Sequence, residues 1–245
     1  MLYKDVFSLS VIIPLYNEEK RLLKSLIKLE KFIKKNKKSN VEIIFVSDGS
    51  TDTTNNIINL FIKKNKRNIK SSLIKYKKNI GKGYAIKKGI LKSKKNWILI
   101  CDADMSVNPN QFNIWYNKNR IIDKNKAYFG SRRHKKSNVK SSIIRRFLGY
   151  FFIIFIRILF FIKLQDSQCG FKVFHKSYAL KVFRKISSFR FAFDIELVII
   201  LTKLKINIIE LPVKWVHQDG SKLSLLYDIP KMIYDIFIIR FKNLK

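Results

Sequence analysis

The chain has 245 residues, 47% of them apolar, and a formal net charge of +34 from 51 Lys and Arg against 17 Asp and Glu. That much apolar material excludes a disordered chain and suffices for one large domain, or a domain with an appendage. The two cysteines, Cys101 and Cys169, have no metal-type spacing and make no disulfide framework; they are expected to be reduced, in a protein in or facing the cytosol. The charge has two readings: attraction to polyanions (phosphorylated substrates, anionic headgroups, nucleic acid), or the by-product of a composition rich in Lys, Asn, Ile and Phe. Basic clusters beside motifs therefore carry more information than the total.

The opening residues, Met1 to Asp5, run straight into a strand pattern, so no signal peptide is expected. The first half alternates short β-type runs with helical patterns, the signature of a parallel sheet. Strands are expected over 9–15, 41–47, 72–76, 97–101 and 127–130, and helices near 18–36, 51–64 and 82–93. The runs VIIPL, VEIIFV and WILIC are almost continuously apolar, as strands covered on both faces should be. This is a Rossmann-like α/β pattern, in which ligands bind at the carboxyl ends of the strands. Asn17, Asp48 and Asp102 fall at three such ends.

The second half differs. Residues 137–146 are basic and polar, and 147–164 form an apolar run broken only by Arg157 and Lys163. A Cys-Gly-Phe segment, a helix near 193–204, a strand-like run over 206–215 and an amphipathic tail over 223–245 follow. The apolar run has three readings: a core helix, an interfacial helix and a membrane span. A span needs about 20 apolar residues, and a central charge such as Arg157 costs at least ~2.5 kcal/mol there. Lys135, Lys136, Lys140, Arg145 and Arg146 just ahead favour an interfacial position. The domain boundaries expected are 1–222, including the helix near 147–164, and an amphipathic helix over 223–245.

Asp102-Ala103-Asp104 closes the strand WILIC. In an extended segment, residues i and i+2 point the same way, so both carboxylates can meet one hard cation. Mg2+ is commonly held by one or two carboxylates plus the oxygens of a bound phosphate. An Asp-rich turn capping the next helix, before Pro109, is the plainer alternative. Three other segments are polar where strands meet helices. Val11 to Glu19 passes through Pro14, Tyr16, Asn17 and Glu18, Val46 to Asp52 carries Asp48-Gly49, and Asn79 to Ala85 flanks Lys82 with glycines at a helix start that suits an anion. Taken singly, a helix cap explains Asn17 and the two glutamates of the first but not its Pro-Leu-Tyr order, an N-cap is the better reading of the second, and the third lacks phosphate-loop spacing.

In that order, with the aspartate pair following, these motifs resemble glycosyltransferase family 2, inverting enzymes of the GT-A fold. Gly130-Ser131-Arg132, Arg145-Arg146, Gln165 to Lys172 and Trp215 to Leu223 make the chain similar to the polyprenyl-phosphate sugar transferases of that family. The dolichyl-phosphate glucosyltransferase group is the nearer resemblance and mannose synthases the cousins, from about Leu9 to Leu226. Met105-Ser106-Val107 departs from the mannose synthases, and an N-terminal anchor like that of the eukaryotic relatives is not expected.

The resemblance implies an α/β GT-A domain with a mostly parallel sheet, helices on both faces and C-terminal membrane-interface helices. It implies a nucleotide-sugar donor, UDP-glucose above others, a polyprenyl phosphate acceptor and Mg2+ or Mn2+. The protein would be membrane-associated, with its active site facing the cytoplasm. Pro14, Tyr16, Glu18, Asp48, Lys82 and Asp102 would serve the nucleotide-sugar, Asp102 and Asp104 the metal, and Arg132, Arg145, Arg146 and Lys222 the acceptor phosphate. Asp104, Asp102 and Arg132 would be the catalytic set. A lipid phosphate is ionised near neutral pH, so no general base is assigned, and His134 and His217 are read as hydrogen-bonding groups. A transferase acting on a glycan is the alternative within the family. No nucleic-acid partner is expected, because that reading leaves the ordered acidic motifs without a use.

Overall fold

The computed structural model describes residues 6–140, 143–218 and 228–242. Its centre is a seven-stranded sheet in the order β3-β2-β1-β4-β7-β5-β8. The strands are β1 (Ser8–Leu15), β2 (Asn40–Asp48), β3 (Lys70–Tyr76), β4 (Trp97–Cys101), β5 (Lys126–Ser131), β7 (Phe171–His175) and β8 (Asn207–Pro212). A small second sheet pairs β6 (Asn138–Lys140) with β9 (Lys214–Val216). β1 to β4 pair in parallel, as the alternating pattern predicts. β7 departs from it, running antiparallel to both β4 and β5, while β5 and β8 pair in parallel. The expected strand over 206–215 is two strands broken at Val213, and β7 was not anticipated at all.

The apolar runs are strands because both faces are covered. On one face Leu22, Leu26, Leu29 and Ile33 of α1 (Glu19–Lys35), spaced three and four apart, pack with Phe61 of α2 (Thr54–Asn65) and Trp115 of α4 (Asn110–Asn117). On the other face α3 (Lys82–Lys92), α6 (Lys176–Lys185) and α7 (Phe193–Lys203) cover Ile12, Ile98, Ile100 and Phe129. Pro14 lies past the last β1–β4 pair, Ile12 with Ile100, so its missing N–H leaves that ladder intact.

The apolar run forms α5 (Ile143–Phe160), which packs through Ile156 on Ile195 and Ile199 of α7 and on Ile236 and Ile239 of α8 (Asp228–Lys242). Among the described residues no helix is long and apolar enough to cross a membrane. Arg157 does not interrupt the helix: its Nε donates to the Leu164 carbonyl at 2.9 Å.

Candidate active site

Parallel pairing carries the ends of β1, β2 and β4 to one edge of the sheet, and the antiparallel β7 begins at that same edge, with Phe171 beside Cys101. The edge is built by loops that hold one another. Asn17, at φ 50°, accepts from the Thr51 N–H at 2.8 Å, and the Glu18 N–H donates to the Thr54 hydroxyl at 2.7 Å. The two Asp48 carboxylate oxygens accept from the Ile80 and Gly81 N–H groups, both at 2.8 Å, which fixes the loop entering α3. Gly49 passes this loop so closely that a Cβ would stand 2.6 Å from the Asn79 nitrogen, and its φ of 69° suits glycine. Asp48 is thus buried in the frame of the site, whereas Tyr16 stands half-exposed on its rim.

The aspartate pair lies above this frame. Asp102 Oδ1 is 2.6 Å from the Lys82 ammonium at the first residue of α3. Burial works against the Asp102 carboxylate, but Lys82, Lys172 and Arg132 outweigh it and hold it below the usual carboxylate range. Burial likewise opposes the Lys82 charge, and Asp102 and Asp194 raise it above the ordinary lysine range. Asp104 Oδ1 accepts from the Ser106 N–H at 2.9 Å, and its Oδ2 lies 3.7 Å from Arg21. Arg21 also grips Glu18, donating from Nη2 to Oε1 at 2.8 Å. Glu18, Arg21 and Asp104 therefore form a charge chain from β1 to β4. The sequence offered a local signal for it, since Arg21 follows Glu18 by three residues in a helix.

Beyond β4, Arg132 clasps Asp166 with a two-pronged fork, Nε to Oδ2 at 2.7 Å and Nη2 to Oδ1 at 2.8 Å, and its own N–H adds a third bond at 2.9 Å. Asp166 is buried, and against that burial Arg132 lowers its pKa. The Gln165 and Asp166 N–H groups donate to Glu210 of β8, at 2.7 and 2.8 Å. The Arg132 guanidinium also lies 6.0 Å over the Trp215 ring, on which His217 stacks. Arg133 sits 5.5 Å over Tyr150 of α5. Arg145 and Arg146 fall in the first turns of α5, and Lys222 lies outside the described residues. His134 serves a turn, its Nδ1 accepting from the Lys136 N–H at 3.1 Å.

The edge thus brings Asp102, Asp104, Lys82, Glu18 and Arg132 together, with Asp48 beneath them. Sequence reasoning missed Arg21, Asp166, Lys172 and Asp194. Among the described residues no three His, Cys, Asp or Glu side chains converge as a metal cage. Two hard carboxylates, both partly exposed and one of them paired with a lysine, instead fit a divalent ion that completes its shell with diphosphate oxygens. The crevice between Asp102, Gly170 and Trp215 is narrow, about 10 Å³. A larger groove of about 510 Å³ opens at the opposite strand ends, around Lys66, Arg67 and Lys95, away from every motif.

Residues 10–187 match the model of glycosyl transferase family 2, well over half of the chain. The chain belongs to glycosyl transferase family 2. Curated relatives include the dolichyl-phosphate beta-glucosyltransferases of Dictyostelium discoideum, 39% identical over 98% of this chain and 76% of theirs, and of Homo sapiens, 35% identical over 96% and 76%. The GT-A fold is shared with glucosyl-3-phosphoglycerate synthase from Mycobacterium tuberculosis in complex with UDP, at a TM-score of 0.64 and 12% identity over 96% of this chain and 79% of that one. It is shared too with a Pyrobaculum calidifontis mannosyltransferase in complex with GDP-Man and Mn2+, at a TM-score of 0.62 and 16% identity over 96% and 63%. The family and the fold are those that the motif order implies.

Proposed function

We propose that this chain transfers glucose from UDP-glucose to a polyprenyl phosphate of the dolichyl type, at a membrane surface and with its active site on the cytoplasmic side. The observation that carries the reading is the meeting of the aspartate pair, Lys82 and Arg132 at one strand edge, in a chain 39% identical to a dolichyl-phosphate beta-glucosyltransferase along nearly its whole length.

In this reading Asp104 would hold the metal directly and Asp102 would face the same ion beside the donor diphosphate, next to Lys82. Mg2+ or Mn2+, when bound there, supplies positive charge to the diphosphate oxygens. Lys82 adds a second positive charge as the bond from the anomeric carbon to the diphosphate breaks. Tyr16 and Pro14 border the nucleoside, while Asp48 and Glu18 act through the loops they hold. An acceptor phosphate oxygen attacks the anomeric carbon from the opposite face, the nucleoside diphosphate leaves, and a β-linked product forms from an α-linked donor. The attacking oxygen is already ionised, so no base is needed.

Arg132 keeps Nη1 outside its Asp166 fork, and Arg133, Arg145, Arg146 and Lys222 join it as the cationic seat of the acceptor phosphate. α5 and α8 lie on the lipid surface. Ile158 and Phe161, 71% and 81% exposed, and Tyr234 and Phe241, both 66% exposed, supply its apolar contact.

The test presents the protein, in vesicles doped with polyprenyl phosphate, with UDP-glucose and GDP-mannose in parallel. Chelator-sensitive formation of lipid-linked glucose from UDP-glucose is expected. Preference for GDP-mannose would move the chain to the mannose-transferring branch. Transfer to a glycan with none to lipid phosphate would overturn the acceptor assignment.

A further inference from the structure

Behind the aspartate pair lies an ion pair for which this chemistry has no direct use. Lys172 stands in β7, opposite Ile100 of β4 and Phe129 of β5. The face around it is apolar, formed by Ile100, Phe129 and Phe174, and its side chain is 1% exposed. The ammonium reaches Asp194 Oδ1 at 2.7 Å and the Cys169 carbonyl at 2.7 Å, and lies 5.1 Å over the Phe129 ring. Asp194, in the first turn of α7, is equally shielded from water.

Stability alone is a poor reason for such a pair. Desolvating two charges costs several kcal/mol per ion, and apolar side chains of similar volume are often as stabilising or more so. Position supplies a better reason. Cys169 precedes Gly170, and Gly170 lies so close to Asp102 that a Cβ there would overlap its carboxylate. Lys172 therefore bonds the carbonyl next to the residue on which that carboxylate rests. The Asp194 charge also acts on Lys82, which holds Asp102 from the other side at 2.6 Å.

We propose that Lys172 and Asp194 are positioning residues for Asp102. They fix the Cys169–Gly170 backbone against its carboxylate and keep Lys82 beside it, so that the donor site is formed before donor and cation arrive. The inference rests on reading Asp102 as a donor-site residue.

The experiment compares the wild-type chain with Lys172→Met/Asp194→Leu, with Asp194→Asn and with Asp102→Asn. It reads thermal unfolding, binding of UDP in the presence of Mn2+ by calorimetry, and kcat and KM for UDP-glucose. The double variant should keep its unfolding midpoint or raise it, yet lose roughly 10- to 100-fold in UDP–Mn2+ affinity, the range common for residues that orient metal ligands. Wild-type affinity and kcat in the double variant would overturn the proposal. So would a fall in midpoint with unchanged affinity, because the pair would then serve stability alone. Asp194→Asn is isosteric and able to keep the hydrogen bond. It decides the matter if the double variant does not fold: weaker UDP–Mn2+ binding at an unchanged midpoint supports the proposal, and unchanged binding overturns it. Asp102→Asn with wild-type UDP–Mn2+ affinity would instead overturn the donor-site reading itself.

Discussion

Gly170 has no side chain, and the Asp102 carboxylate occupies the space that one would need. Gly170→Ala must therefore push Asp102 away or shift the start of β7. Displacement of a reacting group by about 1 Å can cost on the order of 100-fold in rate. The alanine variant should lose activity on that scale while keeping its far-ultraviolet dichroism, and near-normal turnover would show that the position of the carboxylate is unimportant. Asp104→Asn tests the other member of the pair. Its amide keeps the shape and an acceptor for the Ser106 N–H but lacks the charge to hold a divalent ion, so transfer should nearly vanish. Wild-type turnover, insensitive to a chelator, would remove the metal from the scheme. Arg132 needs a different comparison, because its fork neutralises buried Asp166. Arg132→Met should cost about 1–3 kcal/mol of stability, measurable in urea, because buried Asp166 keeps its backbone N–H bonds but loses its counter-charge. Any loss toward the acceptor must be read against that. The aspartate pair was legible because it directly follows the apolar run of β4, but the extended i and i+2 geometry expected of it is not what forms: β4 ends at Cys101, and Asp102 to Asp104 lie in the turn closed by the Met105 N–H donating to the Asp102 carbonyl at 3.0 Å. Lys172 and Asp194 were not legible, because 22 residues separate them and only the packing of α7 over β7 brings them into contact.

At the scale of elements, the first half of the sheet could be read from the sequence because β1, β2 and β4 are apolar runs closed by polar loops, and the more polar β3 follows in the same alternation with helices. β7 escaped that reading. Its five residues, FKVFH, are interrupted by a buried lysine whose partner is remote, and antiparallel insertion between β4 and β5 follows from tertiary pairing rather than local pattern. α5 was recognised as an apolar segment, but its three possible environments differ only in what lies outside the helix. The structure gives one face of it to α7 and α8 and leaves Ile158 exposed, with Phe161 exposed just past its end. If those side chains enter a lipid surface, Ile158→Asp with Phe161→Asp should lower the fraction of protein sedimenting with anionic vesicles several-fold and leave UDP binding unchanged. Burying an Ile or Phe side chain contributes about 1.5–3 kcal/mol each, so two such losses suffice. Equal sedimentation of variant and wild type would place the lipid contact elsewhere.

For the whole molecule, the charge of +34 sets conditions that no single contact does. Repulsion among so many cations opposes the compact state and is screened by salt, with a Debye length of about 10 Å at 0.1 M. Against it stand a few buried or partly buried carboxylates. Burial opposes ionisation of Asp102 and Asp166, yet Lys82 and Arg132 respectively lower their pKa values in the folded chain. Their stabilisation is therefore complete above the unfolded value, about 3.9, and is lost as pH falls through the lower folded values. Asp194 has the opposite sign: burial raises its pKa, so its protonation on acidification offsets part of that loss. Glu30 and Asp123 are likewise lowered and Asp235 raised, so four groups work against two, and acidification also removes the remaining carboxylate charges while the 51 Lys and Arg persist. The unfolding temperature should consequently rise when NaCl goes from 20 to about 300 mM at pH 7, and rise more at pH 4, where fewer anions remain. Calorimetric scans at the two pH values and two salt concentrations measure this directly. A midpoint indifferent to salt at both would mean that the cations lie too far apart to repel one another, and the charge would then bear on what the surface attracts and not on how firmly the chain folds.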